Sequence, residues 1–253
     1  MIDTHCHLHD PRYDDDREDT IVRAREAGVS AMLTVGCDLA DSARAIEVAR
    51  GFGLAASVGI HPHEAKDAPA GVAAALATLV DGAPVVAIGE TGLDYYYDHS
   101  PRERQAEVLR AQLRFARERD LPLIFHQRDA YDDFLAILRA EFAPPMRGVV
   151  HCFTGNAEQA RTFAGEFGLR LGIGGVVTFA NAQPLRDAVA AVGLDAVVLE
   201  TDCPYLAPVP VRGRRNEPAF LPHVAHKIAE ILATDLATVV ETTDRNAKAL
   251  FRL

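Results

Sequence analysis

No stretch of this chain approaches the ~20 consecutive apolar residues that a membrane-spanning helix needs. Met1 leads almost at once into Asp3, His5 and His7 rather than into a basic and then apolar leader. These absences argue against a membrane partner or an export signal, and the expected location is cytoplasmic. The four cysteines, Cys6, Cys37, Cys152 and Cys203, form no CxxC pair, so no disulfide scaffold is expected and the thiols read as reduced. Positive charge is scarce as well: 26 lysines and arginines stand against 36 aspartates and glutamates, a formal net charge of −10. That balance excludes charge-driven coating of nucleic acid, so a polyanionic substrate has to be held locally. There is no internal repeat, low-complexity tract or Pro/Gly/Ser linker, and one domain over residues 1–253 is expected. Nothing indicates an obligate protein partner, and a monomer is the expected state.

What is present suits a sizeable core, with 49% hydrophobic and 25% charged residues. Short apolar segments read as strands at Met1–Thr4, Ala31–Val35, Ala55–Ile60, Val85–Gly89, Leu121–Phe125, Gly148–Val150, Leu169–Ile173 and Val197–Leu199. Helical periodicity separates them; from Glu103 to Arg119 it places Ala106, Leu109, Leu113 and Ala116 on one face. Alternating strands and helices imply a parallel sheet, and eight such units suit a single (β/α)8 TIM barrel better than an open doubly wound sheet, the runner-up. The stretch from Pro204 to Pro222, with prolines at 204, 208, 210, 218 and 222, reads as a long irregular loop. C-terminal helices follow from about Pro222 to Ala233 and from Leu236 to Leu250.

Ionisable residues end most of these strands: His5 and His7, His61, Glu90, His126, His151, then Glu200 and Asp202. In a barrel these ends share one face, where active sites of such folds are built. His5 and His7 are spaced i, i+2, which turns both imidazoles to one side of an extended strand and Cys6 to the other. HxH alone is also compatible with a surface or core histidine; the joint set of histidines and carboxylates is what points to metal ligation. Glu90 follows an apolar run, as a helix cap would, yet its two oxygens could also bridge two divalent ions. His126 and His151 each end an apolar strand, a place that also suits a hydrogen-bonded core histidine. Glu200 and Asp202 repeat the i, i+2 spacing; Asp202 reads as a ligand and base and Glu200 as a supporting or proton-handling group, although Asp202 could simply serve the turn at Pro204. Cys6, Cys152 and Cys203 read as packing residues.

The segment Val211-Arg212-Gly213-Arg214-Arg215-Asn216 follows the last ligand-bearing strand. Its arginines, above all Arg212 and Arg214, with Asn216, are candidate phosphate-binding groups, since guanidinium forks match phosphate oxygens; a solvated basic loop is the plainer reading. Arg128, just past His126, is a candidate for the same task. Asp14-Asp15-Asp16 reads as a solvated helix start. His9, His63, His99, His223 and His226 carry no assigned role, although His63 falls near the strand ends. Tyr95-Tyr96-Tyr97 could stack bases or could pack.

These motifs resemble the TatD-like metal-dependent DNases across nearly the whole chain. The resemblance is carried by Asp3-Thr4-His5-Cys6-His7-Leu8, Gly59-Ile60-His61-Pro62, Gly89-Glu90-Thr91-Gly92-Leu93-Asp94-Tyr95, His126-Gln127-Arg128, His151-Cys152-Phe153-Thr154-Gly155 and Glu200-Thr201-Asp202-Cys203-Pro204-Tyr205-Leu206, with Pro208 to Pro218. It implies an amidohydrolase-type barrel and two divalent ions (Mg2+, Mn2+ or Zn2+): His5, His7 and Asp202 on one, His126 and His151 on the other, Glu90 bridging. It also implies cleavage of DNA, often at the 3′ ends of single strands; with the residue reading above, the candidate catalytic group is Asp202, Glu200, Glu90 and His61. Gln127 departs from the smaller residue expected there.

Two other functions fit parts of the pattern. A related barrel hydrolase acting on an amide, ester or lactone would share the fold, but such two-metal relatives commonly use a carboxylated lysine on strand four, and no lysine lies between Lys66 and Lys227. A non-catalytic, metal-dependent nucleic-acid-binding protein would have little use for so complete a ligand set.

Overall fold

The computed structural model describes residues 1–144 and 146–253. Its strands are β1 (Ile2–Cys6), β2 (Ala31–Val35), β3 (Ala55–Val58), β4 (Val85–Asp94), β5 (Leu123–Arg128), β6 (Gly148–Val150), β7 (Arg170–Ile173) and β8 (Val197–Leu199). They form one sheet in chain order, β1 to β8, with parallel pairing at β1–β2, β3–β4, β4–β5, β5–β6 and β7–β8. The helices are α1 (Arg17–Glu26), α2 (Leu39–Phe52), α3 (Val72–Val80), α4 (Arg102–Arg119), α5 (Tyr131–Glu141), α6 (Ala157–Arg161), α7 (Gln183–Val192), α8 (Leu221–Leu232) and α9 (Leu236–Phe251). The backbone of β1 also meets the segment after β8: His7 N–H donates to Cys203 O and Asp202 N–H to His5 O, both at 2.8 Å. Eight strands in chain order, the first bonded to the segment that leaves the last, make the (β/α)8 barrel topology; the open doubly wound alternative is excluded.

The chain clusters into two compact units, Met1–Thr34 with His151–Leu253, and Val35–Val150. In the first, Leu33, Leu171, Val197, Val198, Ile228 and Val239 form part of a fully buried core. Its α8 and α9 supply the C-terminal helices the periodicity predicts. In the second, Val58, Ile88, Leu123, Ile124, Phe125 and Phe134 are fully buried, with Phe125 edge-on to Phe134 at 5.3 Å.

Three strands end later than their apolar runs. β1 continues to Cys6 and β5 to Arg128. β4 runs on to Asp94 because its ladder with β5 extends through Thr91↔Phe125 and Asp94↔Arg128. Ligand-type residues therefore sit within these strands, where main-chain pairing holds them. Gly92 makes that extension possible: its φ is +153°, and a Cβ there would come within 1.8 Å of His126 O. On α4 the buried face differs from the predicted one, since Ala106 is half-buried while Gln105 and Gln112 are fully buried. No helix among the described residues is long and apolar enough to cross a membrane.

Candidate metal centre

Within 1–34 and 151–253, the HxH motif does what its spacing predicts. His5 Nε2 and His7 Nε2 lie 3.3 Å apart, and Asp202 Oδ1 is 3.8 Å from the first and 3.5 Å from the second. A point equidistant from the corners of such a triangle is about 2 Å from each, the usual ligand distance of a zinc-like ion. His151 joins them: its ring stacks on His5 with centroids 3.9 Å apart, and His5, His151 and Asp202 offer ligand atoms within 4.8 Å of one another. Asp202 holds a left-handed backbone, φ 55°, which an aspartate tolerates better than most residues.

Two further carboxylates support this group from beneath. Asp3 shares the parity of His5 and His7 and accepts from Thr201 N–H (3.0 Å) and Thr201 Oγ1 (2.6 Å), tying β1 to the segment after β8. Glu200 is fully buried, accepts from the Cys152 N–H, and has Oε1 3.8 Å from His151 Nδ1; its Oε2 has no hydrogen-bond partner among the described residues. The space for this carboxylate exists because residue 172 is glycine, where a Cβ would meet Oε2 at 2.1 Å. Burial pushes Asp3 up to about 7 and Glu200 up to about 8, the latter despite the nearby His151. Burial also raises Asp202, but the His7 hydrogen bond and the positive charge that His5, His151 and His7 can carry outweigh it, so Asp202 stays below the ordinary carboxylate range.

Within 35–150, Glu90 Oε1 lies 3.3 Å from His61 Nε2 and 3.0 Å from His126 Nδ1, and these residues form a second group with ligand atoms within 4.8 Å. His61 is placed by Gln112 of α4, whose amide accepts from Ile60 N–H and donates to Ile60 O, both at 2.9 Å. One helix repeat earlier, Gln105 grips Asp94 in the same way, at 2.8 and 3.1 Å. Asp94 in turn accepts from His126 Nε2 (2.9 Å) and from His63 Nε2 (3.0 Å) through Oδ2. Burial favours its neutral form, yet the bonds from His126, the Tyr97 N–H and His63 prevail and hold it far below the usual carboxylate range. An ionised Asp94 only accepts, so His126 donates from Nε2, and its Nδ1, 3.0 Å from Glu90 Oε1, is the nitrogen available to a metal ion. Burial pushes His61 down to about 4, which keeps it neutral, the form a metal requires.

Both donor sets therefore fit divalent ions. The structure groups His151 with His5 and Asp202, and His61 with Glu90 and His126. The sequence reading gave Asp94, Asp3 and the two glutamines no role. Parity would have found Asp94, which follows Glu90 and Gly92 at i+4 on one face, had β4 been carried past its apolar run.

The arginine loop divides in two. Arg215 is committed to the protein: it donates twice to Asp16, at 2.8 and 2.6 Å, and covers the Tyr13 ring. Asp16 stands at the start of α1 as the charge run predicts, but it is an ion-pair partner held near 2 by Arg215 rather than a solvated group. Asn216 is fully buried, its amide donating to Thr201 O and Tyr205 O while Oδ1 accepts from Glu217 N–H, so its polar atoms shape the loop. Arg212 and Arg214 are exposed, resting over Phe179 (4.1 Å) and Phe220 (5.8 Å). Cys6 and Cys203 are buried and Cys37 and Cys152 half-buried, and none of the four is in a disulfide.

Comparison with known proteins agrees with this architecture over its full length. Residues 2–252 match the family model described as TatD related DNase. The chain is 41% identical to the uncharacterized metal-dependent hydrolase YabD of Bacillus subtilis, covering 100% of this chain and 99% of the relative. It is 37% identical to the 3′-5′ ssDNA/RNA exonuclease TatD of Erwinia amylovora, covering 100% of both. The crystal structure of YjjV, a TatD homolog from Escherichia coli K12, superposes with a TM-score of 0.93 at 32% identity, covering 100% of this chain and 98% of that one. The chain is a member of the TatD-related DNase family.

Proposed function

We propose that this chain is a metal-dependent nuclease that hydrolyses phosphodiester bonds of DNA, working on single strands from the 3′ end with two divalent ions, Mg2+, Mn2+ or Zn2+. The whole of residues 1–253 acts as one catalytic domain. The observation that carries the reading is the triangle of His5, His7 and Asp202, sized for one ion; within 35–150, His61, Glu90 and His126 form a second donor set. Glu90, with His61 and His126, would hold an ion within 35–150, consistent with the ligand role that the resemblance implies for it. The name of the Erwinia amylovora relative supports a single-stranded nucleic-acid substrate.

Bound divalent ions supply Lewis acidity, lowering the pKa of water and neutralising charge that develops on phosphate. The chain's own groups do the rest. Asp202, ionised at neutral pH, is competent to take a proton. Glu200, fully buried against His151, acts through that ring, and Asp94 fixes the tautomer of His126. Arg212, Arg214 and Arg128 hold phosphate oxygens, with Asn216 keeping the loop in shape.

The test is metal add-back. Chelator-stripped protein is incubated with end-labelled single- and double-stranded DNA and RNA, one metal at a time. Release of mononucleotides from the 3′ ends of single strands is expected. Turnover of a lactone or aryl ester with no cleavage of any oligonucleotide in any metal would transfer the assignment to an ester hydrolase.

A further inference from the structure

We propose that Tyr96, Tyr97 and Arg128 form a subsite that stacks one unpaired base and pairs its flanking phosphate, beside the His61, Glu90 and His126 group. The inference rests on the nuclease reading and names where the strand is gripped. Three neighbouring tyrosines follow β4 and are treated differently. Tyr95 is committed through its hydroxyl, which donates to Asp133 (2.8 Å), and it carries Arg102 over its ring as Tyr96 carries Arg128. Tyr96 and Tyr97 remain 58% and 48% exposed, which is unusual for large aromatic side chains beside a candidate catalytic group. Their rings stand perpendicular, 89° apart with centroids at 4.8 Å, and the Arg128 guanidinium fills the notch, 3.9 Å from one centroid and 4.8 Å from the other.

The platform is rigid and joined to the metal group. Both the Tyr96 and Tyr97 N–H groups donate to Asp94 Oδ1, at 3.0 and 2.9 Å, while Oδ2 of the same carboxylate accepts from His126 and His63. Tyr97 is backed by a parallel His99 ring at 5.5 Å and an edge-on His63 at 5.3 Å. Such preorganisation spares a ligand the cost of ordering the loop. Arg128 covers one face of Tyr96, and this ring, 58% exposed, keeps aromatic surface open to solvent; an exposed ring backed by a guanidinium recognises a stacked base and an adjoining phosphate, and every base can use it. A base inside a duplex has both faces covered, so the subsite selects single strands. In a chain of net charge −10, Arg128 supplies the local positive charge that a strand end requires.

Binding of a 5′-fluorescein (dT)10 with phosphorothioate linkages at its 3′ end is followed by anisotropy in the metal-loaded enzyme. A matched strand carries abasic residues at the four 3′-terminal positions, leaving its phosphates in place. Stacking contributions of this kind predict that Y96A/Y97A binds the normal strand at least about tenfold more weakly, with little further loss for the abasic strand. Y96F/Y97F keeps wild-type affinity, and R128A weakens both strands. The chain has no tryptophan, so quenching of tyrosine emission in the wild type by the normal strand, but not the abasic one, is a second readout. Equal affinity of wild type for the two strands, or an equal loss on both in Y96A/Y97A, overturns the subsite. Cleavage by wild type together with unchanged binding in Y96A/Y97A removes the subsite and leaves the nuclease reading intact. Base-dependent binding with no cleavage of any strand does the reverse.

Discussion

The two ligand groups draw on similar residue types but hold them differently. In 35–150 the supporting carboxylate, Asp94, accepts hydrogen bonds from two imidazoles and two main-chain amides and is locked in its charged form. In 1–34 with 151–253 the supporting carboxylate, Glu200, is buried with one oxygen lacking a hydrogen-bond partner among the described residues, and burial pushes it up to about 8. One support is a fixed charge that sets a tautomer; the other can carry a proton near neutral pH. The difference teaches that ligand type alone does not define a site: the amides and imidazoles around the second carboxylate decide whether it orients a ligand or stores a proton.

The comparison breaks outright if either group is dispensable. His126→Ala and Asp202→Asn, each checked for folding, are expected to lower oligonucleotide cleavage by at least about a thousandfold, since loss of a ligand removes several kcal/mol of charge stabilisation. A folded variant cleaving at the wild-type rate in excess Mg2+ would show that its group is not catalytic. Asp94→Asn separates the two: metal titration by calorimetry should weaken one binding step by about 10- to 100-fold and leave the other in place. Movement of both steps, or of neither, would remove the division of labour.

A pH experiment sharpens the other side. Glu200 is held at about 8 in the fold against an ordinary 4.5, so between these values the native state binds more protons than the unfolded chain, and its contribution to stability falls as pH rises. In metal-free protein, Glu200→Gln should therefore gain thermal stability over wild type at pH 8, on the order of a few kcal/mol, and little at pH 5. Parallel melting curves across that range would refute the shift. Smallest is the expected effect of Arg212→Ala: a rise in KM of about five- to tenfold with kcat nearly unchanged, because an exposed phosphate contact contributes to binding more than to chemistry.

Much of this is legible in the sequence. Strand-end histidines and carboxylates are visible because a metal ligand interrupts an apolar run, and the i, i+2 spacing of His5 and His7 translates directly into converging rings. The supports are not. Gln105 and Gln112 lie on a helix face that reads as apolar, and a buried glutamine looks like an error of pattern until the backbone it grips is seen. Asp94 lay beyond the predicted end of β4, since a strand held by its ladder need not stay hydrophobic. Arg215 looked like its neighbours Arg212 and Arg214, and only the proximity of Asp16, nearly two hundred positions away, sets it apart.

That last contact gives the arginine loop a fixed root and a loose tip. Residues 215–217 are bolted to the fold by Arg215 to Asp16, by the buried Asn216 and by Glu217 to Arg23, whereas Arg212, Gly213 and Arg214 are exposed. On the proposed nuclease reading the tip is thus an exchangeable cassette: residues 212–214 can be randomised or swapped between relatives to retune substrate range, while the anchor carries each new sequence on an unchanged scaffold.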